Sequence, residues 1–340
     1  MDSFVEIGGQ RIAAVESPEG LTLTPGSYLS LSDISEFPQN VRVVEGSLSL
    51  NNSSLRSLPS PLIIRGNLNI HMCPGLVLPD NLEVTEDLRL ADSAMESEHL
   101  PAGLVVGGAL HIGDCKFRQL PADIRVGRSI IASNSALEVL PETLSLPGSL
   151  DISGTTISKL PERLDIGSAL IITDCPITAL PEHLTVGDSL DISGTGITHL
   201  PNDLTLNLDL FVANTGVAEL PENLKLCSLD ISNSQITEVP ESTSVHVGFF
   251  AEYSKIRKLP KALIDLDELD LTGSAIEELP ENLSVTFTLF LAGSAIRALP
   301  ERIHVGETAY LGGTALPRTP APKSFKTGEE LEVDWDWTPE

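Results

Sequence analysis

Aromatic and basic residues are scarce in this chain of 340 residues. Phe, Tyr and Trp make up 4% of it, and 21 Lys and Arg stand against 48 Asp and Glu, for a formal net charge of −27. This charge disfavours direct binding to nucleic acid or to an anionic membrane surface, and it favours a basic partner. No apolar run is long enough to span a membrane, and residues 1–20 lack the basic and apolar segments of a signal peptide. We therefore expect a soluble, cytoplasmic and monomeric protein.

Motifs of the common catalytic chemistries are also missing. The chain contains no GxSxG nucleophile elbow, no HExxH metal motif, no P-loop and no dinucleotide-binding glycine pattern. We therefore expect no enzymatic activity and no cofactor.

A 20-residue repeat runs through most of the chain. An apolar residue followed by proline recurs from Leu100 to Leu299 in steps of 20 residues, with one step of 19 after Leu220. With Leu180 as position 1, one repeat reads LPEHLTVGDSLDISGTGITH, and the shared pattern is LPxxLxVGxSLxIxxTxIxx. Because each repeat contacts only its neighbours, such a chain forms one elongated domain. We predict about fifteen repeats over residues 21–320.

The repeat predicts a solenoid that is mainly β. Positions 11 and 13 are apolar and flank a variable position 12, as in Leu190, Asp191 and Ile192, which is typical of a short half-buried strand. Stacked once per repeat, these strands form a curved parallel sheet on the concave face, with about 4.8 Å between strands. Proline at position 2 and the short repeat leave few or no helices, so the convex side is predicted to be extended or polyproline-like.

The pattern LxIxxTxIxxLPxxL resembles the short-repeat class of bacterial leucine-rich repeats. This class occurs in secreted effectors of the Yersinia outer protein M type and of the invasion-plasmid-antigen H type. The resemblance covers roughly residues 21–320, although position 16, usually Asn in this class, is here Ser, Thr or Cys. It implies a protein-binding scaffold, and delivery to a host cell by a secretion route that needs no signal peptide. The ligases among these effectors carry a catalytic cysteine after the repeats, and here no cysteine follows Cys227.

Both ends of such a solenoid need caps, because an open sheet edge promotes aggregation. Two strand-like segments within residues 4–15 flank Gly8 and Gly9, which predicts a hairpin cap over residues 1–20. A terminal cap strand is predicted over residues 321–340. Its apolar residues alternate with acidic ones and are Leu331, Val333, Trp335 and Trp337.

Three of the four cysteines fall at position 16, which Ser or Thr otherwise fills. Cys73, Cys115 and Cys175 are therefore predicted to be small buried groups. Cys73 and Cys115 lie two turns apart, about 10 Å, which is too far for a disulfide. Cys227 is unpaired at position 8, so we expect a reducing compartment, and we predict no metal site.

The candidate binding residues occupy position 12, which faces solvent on the concave sheet. They alternate between acidic and apolar residues with a period of two repeats. Neighbours at positions 10 and 14 are expected to add negative charge, and these are Asp87, Asp209, Glu252 and Glu268. The nine candidates are Asp151, Ile171, Asp191, Phe211, Asp230, Phe250, Asp270, Phe290 and Tyr310. Regularly spaced exposed aromatics concentrate binding energy, and carboxylates between them select a partner that carries Lys or Arg. The alternative is that duplication of a 40-residue unit left this alternation without a role.

Three hypotheses for function follow from these observations. The leading one is a scaffold that binds a basic protein on its concave face. The second is a regulatory or substrate-recognition part of a ubiquitin-ligase-type effector, with the catalytic activity elsewhere. The third is mimicry of nucleic acid by the acidic surface, which would bind a nucleic-acid-binding protein.

Overall fold

The structure is a computed structural model that describes residues 3–316, 326–328 and 330–332. The regular elements of these residues are β-strands, and the described part of the chain has no helix that could cross a membrane. The chain divides into two compact units, Met1–Pro176 and Ile177–Glu340.

The first unit contains a main sheet and a second sheet. Its strands are β1 (Ser3–Ile7), β2 (Gln10–Ser17), β3 (Gly20–Leu23), β4 (Tyr28–Ser32), β5 (Val41–Glu45), β6 (Ser47–Asn51), β7 (Leu62–Arg65), β8 (Leu68–His71), β9 (Leu82–Val84), β10 (Leu88–Arg89), β11 (Val105–Val106), β12 (Leu110–His111), β13 (Arg125–Val126), β14 (Ile130–Ile131), β15 (Thr143–Leu146), β16 (Leu150–Asp151), β17 (Arg163–Ile166) and β18 (Leu170–Ile171). The even-numbered strands from β4 to β18 form the main sheet and pair in parallel, whereas β2 lies in the second sheet. That second sheet runs β1-β2-β3-β5-β7-β9-β11-β13, and β15 pairs with β17.

The second unit repeats this arrangement. Its strands are β19 (His183–Val186), β20 (Leu190–Asp191), β21 (Asp209–Phe211), β22 (Lys225–Asp230), β23 (Ser244–Phe250), β24 (Asp265–Leu266), β25 (Glu268–Asp270), β26 (Leu283–Val285), β27 (Leu289–Phe290), β28 (Ile303–Val305), β29 (Thr308–Tyr310), β30 (Lys326–Thr327) and β31 (Glu330–Glu332). The main sheet of this unit has the parallel order β20-β21-β22-β23-β25-β27-β29-β31. Strands β24, β26, β28 and β30 form its second sheet.

The alternation within each main strand follows from the repeat. Leu150 and Ile152 are fully buried, whereas Asp151 between them is partly exposed. Successive side chains of a strand point to opposite faces, so positions 11 and 13 fill the core and position 12 faces outward. The predicted mainly β solenoid with a parallel sheet is confirmed.

The segment predicted to be merely extended forms a second hydrogen-bonded sheet. Positions 4 to 7 of successive repeats pair in register, as Thr143–Leu146 do with Arg163–Ile166. Leu144 and Leu146 are buried between exposed neighbours, so this strand also has one apolar face. The second sheet therefore satisfies backbone groups that a polyproline-like segment would leave to water.

Glycine at position 8 is required by the close stacking of turns between the two sheets. A Cβ at Gly167 would overlap the carbonyl oxygen of Pro147, and one at Gly127 would overlap that of Gly107. The Gly167 N–H donates to the Leu146 carbonyl one turn earlier, at 2.8 Å. This contact explains the Gly in the VGxS part of the repeat.

Position 16 forms an internal ladder of small polar groups. The hydroxyls of Thr155 and Thr195 donate to the carbonyl oxygens of Ile152 and Ile192, at 2.8 and 2.7 Å. The four thiols are free. Cys73 and Cys175 are buried as predicted, while Cys115 and Cys227 are partly exposed.

The N-terminal strands form an antiparallel hairpin at the edge of the second sheet. Ile7 pairs with Gln10 across a turn in which Gly8 and Gly9 have positive φ angles of 57° and 75°. At the other end, the backbone of β31 pairs in parallel with β29. Val333, Trp335 and Trp337 of the predicted cap strand lie outside the described residues.

Candidate functional site

Seven of the nine position-12 candidates form one continuous column on the main sheet of the second unit. In-register pairing of neighbouring strands places them side by side, and each is partly exposed. We call these seven residues the aromatic–acidic column: Asp191, Phe211, Asp230, Phe250, Asp270, Phe290 and Tyr310. The other two candidates, Asp151 and Ile171, pair with each other on the main sheet of the first unit.

The aromatic side chains of the column are spaced regularly. Phe211, Phe250 and Phe290 lie on every second strand, so neighbouring phenylalanines are about 9.6 Å apart at the usual strand spacing. Phe290 also stacks on Tyr310, with ring centroids 4.9 Å apart and ring planes inclined by 2°. The column therefore presents three apolar contact points at a fixed interval.

The ring of Phe250 lies over Gly248 of the same strand. A Cβ added at Gly248 would lie 2.5 Å from Cε2 of Phe250 and 2.8 Å from its Cζ. Only a residue without a side chain leaves the ring in this place, because real Cβ atoms do not approach so closely. Gly248 thus leaves room for the ring of Phe250 in this place.

The aspartates of the column have a local structural role. Oδ1 of Asp230 accepts the N–H of Ser232, and Oδ1 of Asp270 accepts that of Thr272, both at 2.8 Å. Asp191 accepts the N–H of Ser193 in the same way. Such bonds end a strand and orient the carboxylate.

Further carboxylates surround the centre of the column. Glu252, at position 14, lies between Asp230 and Asp270, and burial together with the charge of Asp270 raises the pKa of Glu252. Asp209, at position 10, accepts hydrogen bonds from Ser189 Oγ and Ser228 N–H at 3.1 and 3.0 Å. This concentration of negative charge is not balanced by any salt bridge among the described residues of the second unit's column.

Asp87 does not extend this negative surface. It stands at position 10 of its repeat, and we predicted that it would add negative charge. It lies in the first unit, where Arg89 and Arg128 each pair with one of its oxygens at 2.7 Å. Burial acts to raise the pKa of Asp87, but the Ala109 N–H and the two guanidinium groups outweigh it and lower the pKa. The same position-12 column therefore has a different character in the first unit, where it includes Arg89 and His111.

Four further exposed apolar residues of the second unit were not predicted. Leu208, Val247 and Phe287, at position 9, are 41%, 44% and 47% exposed and stand three residues before Phe211, Phe250 and Phe290. Tyr253, at position 15, is 62% exposed and has a positive φ of 51°, at a position that Gly, Asn or Asp usually fills. Apolar residues at position 9, where Asp188 stands in another repeat, were the available signal for this extension of the apolar surface.

The described residues contain no group of three or more His, Cys, Asp or Glu side chains that could hold a metal ion. The larger cavities are open grooves. One of about 710 Å³ lies along the proline-containing loops of the second unit, beside Glu219, Val239 and Lys258, and not on the column.

Comparison with known proteins establishes the fold. No protein-family model and no curated protein matches the sequence. Among solved structures the chain is similar to YopM from Yersinia enterocolitica WA-314, with a TM-score of 0.50 and 19% identity over 92% of this chain and 83% of that one. The chain is a leucine-rich-repeat solenoid.

Two further solved structures are similar at lower TM-scores. A leucine-rich-repeat protein of Leptospira interrogans has a TM-score of 0.43 and 17% identity, over 85% of this chain and 90% of that one. YopM from Yersinia pestis, described as a leucine-rich effector protein, has a TM-score of 0.40 and 18% identity, over 90% and 82%. At 19% identity, the similarity to YopM from Yersinia enterocolitica shows a shared fold alone, and function has to be argued from the surface.

Proposed function

We propose that this protein is a non-catalytic interaction scaffold that binds a basic protein segment on the aromatic–acidic column. The observation that carries the proposal is the alternation itself, since three half-buried phenylalanines lie at equal intervals with carboxylates between them. Phenyl rings supply apolar contact area with little loss of side-chain entropy. Carboxylates beside the rings favour Lys or Arg and disfavour acidic partners.

The alternative hypothesis is that the alternation is left over from duplication of a 40-residue unit. It gives no reason for further apolar residues to be exposed in the same repeats. Exposed apolar residues also stand at position 9 of the same repeats, three residues before each phenylalanine: Leu208, Val247 and Phe287. Contiguous exposed apolar residues bordered by charge are typical of protein-binding sites. Binding of one partner protein would account for both the alternation at position 12 and the exposed apolar residues at position 9.

Affinity capture from the native cell tests this proposal. The triple variant Phe211→Ser, Phe250→Ser and Phe290→Ser should lose the captured partner. A matched control, Val77→Ser with Val139→Ser, changes apolar residues of the first unit that are each 57% exposed, and should retain it. Cooperative unfolding of both proteins shows that each is folded.

The outcomes separate the hypotheses. Retention of the partner by the folded triple variant would refute binding at the column. A captured protein whose binding is abolished by competing duplex DNA and falls steeply with salt would favour nucleic-acid mimicry instead.

A further inference from the structure

The spacing of the phenylalanines restricts the conformation of a segment that lies along the column. This inference rests on the proposed binding function. To contact Phe211, Phe250 and Phe290 in turn, a regular segment must present an apolar side chain at intervals of about 9.6 Å, twice the strand spacing. The question is which backbone conformation has that period.

The three regular conformations differ in this period. A β-strand presents side chains on one face about every 6.8 Å. An α-helix returns to the same face after seven residues, or about 10.5 Å. A polyproline II helix returns after three residues, or about 9.3 Å.

The polyproline II period gives the best fit over the whole column. From Phe211 to Phe290 there are two intervals, so the accumulated mismatch is about 0.6 Å for polyproline II and about 1.8 Å for an α-helix. A β-strand presents side chains on one face about every 6.8 Å, so it cannot place a side chain at each phenylalanine in turn. A polyproline II segment of seven residues would therefore reach all three rings.

The side chains of the column also suit such a segment. The ring of Phe250 leans over Gly248, and Phe290 lies parallel to Tyr310, so flat aromatic surfaces are available for proline or aliphatic groups. Aromatic-lined grooves recognise polyproline II because its backbone is ordered before binding. Little conformational entropy is then lost on docking.

The acidic residues specify what stands between the apolar positions. Asp230 and Asp270 separate the phenylalanines, and Oδ1 of each accepts a backbone N–H. Glu252 adds a third carboxylate next to both. In a polyproline II segment the residues between consecutive apolar positions project to the sides, and the long side chain of an Arg or Lys there would reach these carboxylates.

We propose that the ligand of the aromatic–acidic column is a proline-rich basic segment in the polyproline II conformation. It has an aliphatic residue or proline at every third position and Arg or Lys between these positions.

Fluorescence anisotropy with labelled synthetic peptides and the full chain tests this proposal. The first probe is three tandem Leu-Pro-Arg triplets, which place leucine at every third position. The second has the same composition with like residues grouped together, so it keeps the charge and loses the period. The third is a basic amphipathic helix with leucine at every seventh position.

We expect the triplet peptide to bind at least about tenfold more tightly than either other probe, as for loss of a contact at an aromatic hot spot. Phe250→Ser should weaken its binding by a similar factor. Gly248→Ala should also weaken it, because the added methyl group displaces the Phe250 ring. The control Val139→Ser, in the first unit, should bind as the unmodified chain does.

Equal binding of the triplet and grouped peptides would overturn the proposal, because attraction would then depend on charge alone. Tighter binding of the helical probe, or no binding of the triplet peptide, would also overturn it. These results are distinguishable from failure of the proposed function. In that case the triple phenylalanine variant would still capture the native partner.

Discussion

Replacement of the column aspartates separates their structural role from their role in binding. In the double variant Asp230→Asn and Asp270→Asn, the amide oxygen can still accept the N–H of Ser232 or Thr272, which now lies 2.8 Å from Oδ1. In the double variant with Ala at both positions, both N–H groups lose this acceptor. Both variants remove the same two negative charges beside Glu252. The electrostatic repulsion of Glu252 is therefore reduced in both of them.

The difference in stability between the two variants therefore measures the two hydrogen bonds. A protein hydrogen bond contributes a net of about 1 kcal/mol, so the Asn variant should be about 2 kcal/mol more stable than the Ala variant. Urea-induced unfolding followed by circular dichroism gives this difference from the midpoints, provided that the slopes are equal. Both variants should lose affinity for a basic ligand. Equal stabilities of the two variants would refute the structural role of the carboxylates.

Three further predictions concern stability and reactivity. Glu252→Gln should stabilise the protein at pH 7, and this gain should disappear below about pH 4.5. The reason is that the raised pKa makes the folded protein bind more protons than the unfolded chain above the ordinary value of 4.5, so stability falls as pH rises through that window. Phe249→Ala should lower the free energy of unfolding by about 3–5 kcal/mol in urea titrations, because Phe249 is fully buried. At pH 8, a thiol reagent should modify Cys115 more slowly than a free cysteine, because burial raises the pKa of the Cys115 thiol to about 11; rapid modification, measured by mass spectrometry, would contradict this.

The repeat period was sufficient to predict the main sheet, because the alternation Leu190, Asp191, Ile192 recurs once per turn. The second sheet was not predicted as a sheet. Its apolar residues Leu144 and Leu146 were visible as core positions, but their strand pairing depends on the close stacking that Gly at position 8 permits. That stacking is a contact between turns, and sequence periodicity contains no direct signal of it.

The candidate site shows the same limit. The alternation of Asp and Phe could be read from the repeat, and so could its place on the outward face. The use of one Asp230 oxygen by the Ser232 backbone, and the lean of Phe250 over Gly248, depend on side-chain geometry that a spacing argument does not contain. The ion pairs of Asp87 with Arg89 and Arg128 were missed for a similar reason, since Arg128 lies two turns away.

Site-specific photo-crosslinking in the native cell is the most direct test of binding at the column. A photo-reactive phenylalanine analogue is placed at Phe250 in one protein and, as a control, at Phe4 in another, where the side chain is 52% exposed in the first unit. We predict that the analogue at Phe250 crosslinks to a basic segment of a protein partner and that the analogue at Phe4 does not. Crosslinking to that partner from Phe4 alone, with none from Phe250, would contradict the assignment of the aromatic–acidic column as the binding surface.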